Sequence, residues 1–237
     1  MSNILILGAS RGLGAAFGLG LAQAGDTVWL LSRTEPYYMK VADGVERSWI
    51  QADLSLADMG GQIKKALGNT PLDVVLYNAG IWEDSAFSSD YDFTAVSAEE
   101  NARIITVNLT AAVNSIHAVL DNLLRGTHPK IILIGSTSGM ENNHTPEVAY
   151  VASKYGLRGA ANALRETLRP QRVAVTCVNP GTISGVAYER GREAALARDP
   201  EYIPAQDIVE LVRCLLALSP ASCVKEIDMP AISDGAA

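Results

Sequence analysis

Basic blocks, clustered metal ligands and long apolar runs are all scarce in this sequence of 237 residues. The formal net charge is −7 at pH 7, so a non-specific nucleic-acid binder, which needs a basic face, is disfavoured. No apolar run approaches the roughly 20 residues that a membrane span requires. We therefore expect neither a nucleic-acid partner nor a membrane.

Cysteine and histidine are also scarce, with three of each in the chain. Cys177, Cys214 and Cys223 lack metal-ligand spacing, which indicates reduced thiols in a reducing compartment. The histidines are scattered, so no metal site is expected. The N-terminus enters the run ILILG without a basic flank or a cleavage site, which argues against a secretory signal. A cytoplasmic location is the expectation.

Short apolar runs alternate with longer helical patterns along the chain. The short runs are mostly continuous, which is typical of strands covered on both faces. They cover residues 3–7, 27–31, 47–51, 73–77, 130–134, 173–178 and 223–228. Helical spacing predicts helices over 12–24, 55–67, 97–125, 147–169 and 205–218, and the stretch 34–45 is ambiguous.

This order of elements predicts one α/β domain over residues 1–237. We expect a Rossmann-type, doubly wound parallel sheet of about seven strands with helices on both faces. In such sheets, ligands bind outside the carboxyl ends of the strands, near the switch point. The segment 182–204 is expected to cover the substrate, with the charged helical stretch 189–198 as a mobile cover.

A glycine-rich loop follows the first strand, with Gly8, Gly12 and Gly14 in the spacing G-x-x-x-G-x-G. Such glycines allow positive φ and let a phosphate approach the backbone at a helix N-terminus. A tight turn with packing glycines is the alternative. The spacing resembles the loop of the single-domain short-chain dehydrogenase/reductase family. That family usually has Thr where Leu7 stands, so one hydrogen bond that steadies the loop is expected to be missing.

The resemblance implies a nicotinamide dinucleotide cofactor, and two arginines favour NADP(H) over NAD(H). Arg33 follows the second strand and can meet a ribose 2′-phosphate, which Arg11 can also approach. Singly, each arginine is as well explained as a solvated surface charge. The resemblance implies these cofactor-binding residues: Gly8, Ser10, Arg11, Gly12, Leu13, Gly14, Arg33, Asp53, Leu54, Asn78, Ala79, Gly80, Tyr150, Lys154, Pro180, Gly181 and Ile183.

Three of these segments carry alternatives or departures from the family pattern. Asp53 is expected to contact the adenine ring, and its alternative is a cap for the next helix. Tyr77 stands where the family has the first Asn of N-N-A-G, so a sheet-stabilising contact is expected to be lost. Gly185 stands where the family often has Thr, which leaves Thr182 and Ser184 as candidates for a phosphate contact.

Tyr150 and Lys154 are the candidates for proton chemistry in the stretch AYVASKYG. Side chains four residues apart share a helix face, whereas Tyr155 lies about 140° round from Tyr150. A fixed cation near a phenol lowers its pKa by favouring the phenolate. An isolated Y-x-x-x-K is more often an ordinary surface pair, so the rest of the chain must decide.

Asn108 and Ser136 complete the family's tetrad in the family's order. By resemblance, Tyr150 donates the proton, Ser136 orients the carbonyl, and Lys154 lowers the tyrosine pKa and binds the nicotinamide ribose. Asn108 supports the relay by helping to hold a water, and its alternative is a hydrogen-bonded core amide. Ser138, two residues beyond Ser136, is the rival for the active hydroxyl.

The resemblance implies an NADP(H)-dependent ketone or aldehyde reductase, or alcohol dehydrogenase, that acts on a small carbonyl or alcohol substrate. A 3-oxoacyl-carrier-protein reductase is one alternative, but its acidic partner would need a basic patch, and only scattered arginines are present: Arg158, Arg165, Arg169 and Arg172. A non-catalytic NADP sensor or scaffold is the other, although such proteins tend to lose the Tyr or Lys.

The substrate pocket and the assembly are the least determined features. Candidate pocket liners lie in the loop after the fourth strand, in 139–147 and in 182–204: Trp82, Phe87, Tyr91, Phe93, Met140, Tyr188 and Tyr202. Ordinary core packing explains each of them equally well. The helices over 97–125 and 147–169 match the family's usual pairing surface, so a homodimer or homotetramer is expected.

Overall fold

A seven-stranded parallel sheet forms the centre of the computed structural model, which describes residues 1–141 and 143–234. The strands are β1 (Asn3–Leu7), β2 (Thr27–Ser32), β3 (Glu46–Gln51), β4 (Val74–Tyr77), β5 (Lys130–Ile134), β6 (Ala174–Pro180) and β7 (Glu226–Met229). Their order is β3-β2-β1-β4-β5-β6-β7, with every pairing parallel. The predicted fold class is confirmed.

Helices cover both faces of this sheet. They are α1 (Gly12–Gly20), α2 (Met59–Leu67), α3 (Ala98–Ile105), α4 (Ala111–Leu123), α5 (Val148–Leu168), α6 (Gly191–Arg198) and α7 (Ala205–Ala217). One buried apolar cluster joins α2, α4 and α5 to the sheet, and a second joins α1 and α7 to the opposite face. The ambiguous stretch 34–45 contains turns and no helix.

The strand order reverses at β1, which pairs with β2 on one side and with β4 on the other. Crossovers on the two sides of this point run over opposite faces, so a crevice opens at the carboxyl ends of β1 and β4. Leu7 and Tyr77, the last residues of these strands, are register partners. The predicted glycine loop and the Asn78–Gly80 segment therefore meet at the switch point.

Helix α2 begins at Met59, four residues later than the predicted start. The cause is a local turn, because Asp53 Oδ1 accepts hydrogen bonds from the backbone N–H of Ser55 at 2.9 Å and from its hydroxyl at 2.7 Å. Such a carboxylate-closed turn competes with helix formation. Asp53 therefore closes the turn before the helix and does not cap α2 itself.

Helices α3 and α4 run on through a π-helical turn, Thr106–Thr110, as one continuous helix over Ala98–Leu123. It is the one helix in the described part of the chain that meets the length and composition expected of a membrane span. Half of the most apolar stretch of this helix is buried inside the fold, and a helix in a protein core can have the same length and composition as a membrane span. Here the apolar positions of α4 pack against α2 and the sheet.

Candidate active site

A cleft of about 630 Å³ opens at the carboxyl ends of the central strands. Of the residues predicted to bind the cofactor, all but Gly14 line this cleft. Ser136, Tyr150 and Lys154 line it as well, and Asn108 does not. The glycine loop, the end of β4 and the start of α5, far apart in sequence, thus contribute to one cavity.

The three loop glycines have two different roles. Gly8 has φ +85°, and a Cβ there would lie 2.7 Å from the backbone nitrogen of Ala79. A Cβ on Gly14 would overlap the carbonyl oxygen of Gly8. Gly12 has φ +53° and nothing within 4 Å of the position of its Cβ, so its backbone stands open to the cleft. Gly8 and Gly14 therefore pack as a tight turn requires, while the open backbone at Gly12 leaves a cradle that suits a phosphate.

Two long-range contacts steady the glycine loop where the family's Thr is replaced by the buried Leu7. The Asn78 side-chain amide donates to the carbonyl of Gly8 at 3.0 Å, and the Tyr38 hydroxyl donates to the carbonyl of Ala9 at 2.6 Å. Tyr38 is buried, which raises its pKa and keeps the donor proton in place. Tyr38 lies in the stretch that gave no periodic signal, so sequence reasoning missed it.

Two exposed arginines flank the end of the cleft beside β2. Arg11 and Arg33 both line it, and neither forms an ion pair within residues 1–141 and 143–234. The nearby Asp53 carboxyl has a lowered pKa, mainly through its hydrogen bonds from Ser55 and to a smaller degree through Arg33. This end of the cleft can therefore accept a phosphate group.

Tyr150 and Lys154 lie together on the buried face of α5. The Lys154 ammonium is 5.6 Å from the centroid of the Tyr150 ring and donates to the carbonyl of Ile134 at 3.1 Å. Both residues are more than nine-tenths buried. The Lys154 contact brings the ammonium to the end of β5, the strand that leads to Ser136, and all three side chains line the cleft.

The pKa of Tyr150 is raised, which is opposite to the shift expected from its lysine neighbour. Burial is the main cause, interaction with the Ser136 hydroxyl opposes it, and the charges of Glu147 and Glu83 add to it. Burial also lowers the pKa of Lys154 to about 8. For both groups, therefore, desolvation of the charged form decides the direction of the shift.

Ser136, and not Ser138, presents its hydroxyl to the cleft. The Ser136 oxygen accepts the backbone N–H of Ser138 at 3.1 Å, so its own proton is free to donate. The Ser138 hydroxyl accepts from Thr145 at 3.0 Å and does not line the cleft. Tyr155, on the other side of α5, donates to the carbonyl of Met140.

Asn108 is fully buried in the π-helical turn, and protein groups occupy its side-chain amide. Its Oδ1 accepts the N–H of Ile81 at 2.8 Å, while its Nδ2 donates to the Ile81 carbonyl at 2.7 Å and to Ser153 Oγ at 2.9 Å. Asn108 thus joins the loop after β4 to α5. This contact pattern is that of the hydrogen-bonded core amide considered above.

Tyr77, which was predicted to lack the sheet-stabilising contact of the family's Asn, makes a hydrogen bond of its own. Its hydroxyl donates to the carbonyl of Val107, inside the π-helical turn that contains Asn108. The ring is fully buried, and burial raises the pKa of the phenol. The strand end is therefore tied to the turn by a tyrosine hydroxyl in place of an asparagine amide.

The segment 182–204 contributes little to the cleft, where only Ile183 and Ser184 line it. The hydroxyl of Thr182 donates to Asp234 at 3.1 Å, and that of Ser184 donates to Asp199 at 2.7 Å. Carboxylates thus accept the hydroxyl protons of both candidates for a phosphate contact, and of the two only Ser184 lines the cleft. Farther along the segment, residues 188–190 contact α1, and α6 contacts α7.

Of the aromatic and methionine candidates for the pocket, Trp82 alone lines the cleft. Phe87 contacts Trp82 and Tyr150 at its edge. Tyr91 accepts the backbone N–H of Val148, and Tyr188 lies over Gly20 of α1. The others lie outside the lining: Phe93, Met140 and Tyr202. Residue 142, within the candidate stretch 139–147, falls outside the described residues.

The loop after β4 also carries buried carboxyl groups that the sequence did not reveal. Glu83 is fully buried, and its Oε1 accepts the backbone N–H groups of Ala149 at 2.9 Å and Tyr150 at 3.2 Å. Glu147, also buried, accepts the N–H of Phe87 at 2.6 Å. An acidic residue in a loop usually indicates solvent exposure, so no local signal marked either one.

A doubly wound sheet with a glycine loop and a Ser-Tyr-Lys cluster defines a nicotinamide-dependent oxidoreductase class. The family model of the short chain dehydrogenases matches residues 2–195. The chain is 33% identical over 185 residues to the 3-oxoacyl-[acyl-carrier-protein] reductase FabG of Aggregatibacter actinomycetemcomitans. The aligned region covers 76% of each of the two chains. This chain belongs to the short-chain dehydrogenase family, an oxidoreductase family whose members act on small-molecule substrates.

Solved structures show the same architecture. A 3-oxoacyl-[acyl-carrier protein] reductase from Brucella melitensis superposes with a TM-score of 0.80 at 23% identity, over 96% of this chain and 94% of its own. A metagenomic short-chain oxidoreductase in complex with NADP gives a TM-score of 0.75 at 27% identity, over 97% and 96% of the two chains. The fold is one that holds nicotinamide cofactors.

Proposed function

We propose that this chain is an NADP(H)-dependent carbonyl reductase or alcohol dehydrogenase in which Tyr150 is the general acid and base. The observation that carries the proposal is the cluster of Ser136, Tyr150 and Lys154 in the cleft that the glycine loop also lines. A bound nicotinamide would supply or accept the hydride. Tyr150 and Lys154, with the Gly12 cradle, are the residues that would hold its ribose and phosphates.

Tyr150 gives its proton to the carbonyl oxygen as negative charge develops there. Its raised pKa keeps the phenol protonated at neutral pH, which suits carbonyl reduction. The free hydroxyl proton of Ser136 orients the same oxygen, because Ser136 Oγ is already an acceptor for Ser138. The Lys154 ammonium stabilises the phenolate that remains after proton transfer.

Arg11 and Arg33 support a preference for NADP(H). Both are exposed and line the cleft, and a guanidinium matches the oxygens of a 2′-phosphate. The relative at 27% identity is described in complex with NADP.

A 3-oxoacyl-carrier-protein reductase is the second candidate, because a relative with that activity is 33% identical. Among the arginines of α5 and the turn after it, only Arg172 is exposed without an acidic partner in the described part of the chain, which is little free positive charge for an acidic carrier protein. Arg158 pairs with Glu226, Arg169 pairs with Glu166, and the buried Arg165 donates to two backbone carbonyls. We therefore favour a free ketone or aldehyde as the substrate.

The test is the oxidation of NADPH and of NADH, followed at 340 nm, against a panel of ketones, aldehydes, quinones, steroids and oxoacyl thioesters. We expect turnover of free carbonyl compounds, with NADPH preferred. Arg33→Ala should reduce that preference at least about tenfold, since a charge-assisted contact to phosphate is lost. Arg213→Ala, which removes an exposed arginine of α7, is the control and should leave it unchanged.

Three outcomes would contradict the proposal. Faster turnover with NADH would overturn the cofactor preference, and turnover of acyl-carrier-protein thioesters alone would favour the second candidate. NADPH binding without turnover of any carbonyl would indicate a sensor.

We also infer a homodimer or homotetramer that pairs through the continuous helix 98–123 and α5. Exposed apolar side chains on these helices, Val113 and Val148, support it. A monomeric mass in light scattering would contradict this assembly.

A further inference from the structure

Trp82 and Phe87 form an aromatic surface around the proton donor. Ring centroids lie 5.6 Å apart for Phe87 and Tyr150, 6.4 Å for Trp82 and Tyr150, and 5.7 Å for Trp82 and Phe87, all edge to face. Tyr150 is buried, but Trp82 and Phe87 remain 52% and 60% exposed. Two large aromatic side chains thus stand beside the reactive phenol with half of their surface uncovered.

A strained backbone holds Phe87 in this position. Its φ is +58°, one of only two positive values among the non-glycine residues of the described chain. A bulky side chain rarely adopts this conformation without a compensating contact. The compensation is the 2.6 Å hydrogen bond from the Phe87 N–H to the carboxylate of Glu147, which is 1% exposed.

Glu83 fixes the other part of the same loop. Its carboxylate accepts the first free N–H groups of α5, those of Ala149 and Tyr150. Trp82, the preceding residue, is thereby held next to the helix that carries the phenol. Two buried carboxyl groups, which are costly to desolvate, thus order the loop that presents the aromatic pair.

We propose that Trp82 and Phe87 form a specificity wall that takes the aromatic or flat unsaturated substituent of a carbonyl substrate. This inference rests on the proposed function, because it assigns a substrate class to the same cleft. A carbonyl oxygen between Tyr150 and Ser136 brings its neighbouring substituent against the wall. Edge-to-face and stacked contacts favour an aryl group over a saturated group of similar size.

The experiment compares two methyl ketones with NADPH, acetophenone and cyclohexyl methyl ketone, which share a carbon skeleton and differ in the aromaticity of the ring and its conjugation with the carbonyl. We expect the wild-type chain to favour the aryl ketone at least about tenfold in kcat/KM. Trp82→Ala and Phe87→Ala should each remove most of this preference, chiefly through KM, with NADPH affinity unchanged. Phe93→Ala is the matched control and should keep the preference, since Phe93 is 52% exposed like the wall residues but makes no aromatic contact with Tyr150 or Trp82.

A ratio of the two kcat/KM values that is the same in the wild-type chain, in Trp82→Ala and in Phe87→Ala would overturn the wall while leaving the proposed function intact. A preference for the aryl ketone that persists in both Trp82→Ala and Phe87→Ala would also overturn the wall. Calorimetric binding of acetophenone to the NADPH-loaded Tyr150→Phe variant separates the two proposals. Binding that Trp82→Ala abolishes would support the wall even if no carbonyl compound is turned over.

Discussion

Tyr150 lies among groups that act in opposite directions on its proton. Ser136 and a buried ammonium face it from β5 and α5, while Glu83 and Glu147 add negative charge from the loop after β4 and the start of α5. Burial decides the balance and raises the pKa. The ligand-free site therefore holds a protonated phenol, which is the state needed to donate to a carbonyl oxygen.

The pH dependence of carbonyl reduction follows from these shifts. Reduction needs both the Tyr150 proton and the Lys154 charge, and the pKa of Lys154 is lowered to about 8 by burial. The ammonium is present below this pH and is lost above it, so kcat/KM should be level near neutrality and fall above about pH 8. Initial rates of NADPH oxidation across a pH series provide the measurement.

Lys154→Arg is the companion variant, because a guanidinium keeps its charge at alkaline pH. Its remaining activity should fall only at higher pH than that of the wild-type chain. A wild-type profile that stays level to about two pH units above the lysine pKa would show that this charge is not required.

The elements around the cleft are tied by contacts between residues distant in sequence. Tyr38 holds the glycine loop, Tyr77 holds the π-helical turn, and Asn108 joins that turn to the loop after β4. A π-helical turn often marks a functional position within a helix. In this chain it places the Asn108 amide within reach of both Ile81 and Ser153.

Two glycine substitutions separate the packing role of the loop from its binding role. Gly14→Ala should lower the thermal unfolding midpoint by several degrees, because its methyl would overlap the Gly8 carbonyl. Gly12→Ala meets no neighbouring atom, so it should cost only about 1 kcal/mol of backbone strain. It should nevertheless weaken NADPH binding about tenfold or more, because the methyl stands in the phosphate cradle.

Thermal unfolding and NADPH fluorescence titration together measure the two effects. Gly159→Ala is the control for binding, since Gly159 lies in α5 with nothing near its Cβ position. It should leave NADPH affinity unchanged and raise the unfolding midpoint slightly, because alanine favours a helix interior over glycine. Unchanged NADPH affinity in Gly12→Ala would contradict the assignment of the loop to the cofactor.

For the whole molecule, the sequence predicts the architecture better than the site. Continuous β-branched runs such as Lys130–Ile134 identified the strands, because a sheet covered on both faces needs apolar residues on both. The start of α2 was misplaced because the Asp53 turn competes with the helix. Tyr38, Glu83 and Glu147 were missed because their effect depends on partners between 29 and 67 positions away.

The net direction of the Tyr150 pKa shift could not be predicted from the sequence. The i, i+4 spacing puts an ammonium beside the phenol, but the spacing says nothing about how deeply either group is buried. Depth within the fold is a property of the assembled molecule, and it decides which charge state is favoured.

The most direct test of the central claim is the turnover and NADPH binding of Tyr150→Phe. This substitution keeps the ring that packs against Trp82 and Phe87 and removes only the hydroxyl. We predict that carbonyl reduction falls by at least about a hundredfold, the range of general acid catalysis, while NADPH affinity stays within about threefold of wild type. Near-normal turnover in Tyr150→Phe would contradict the account.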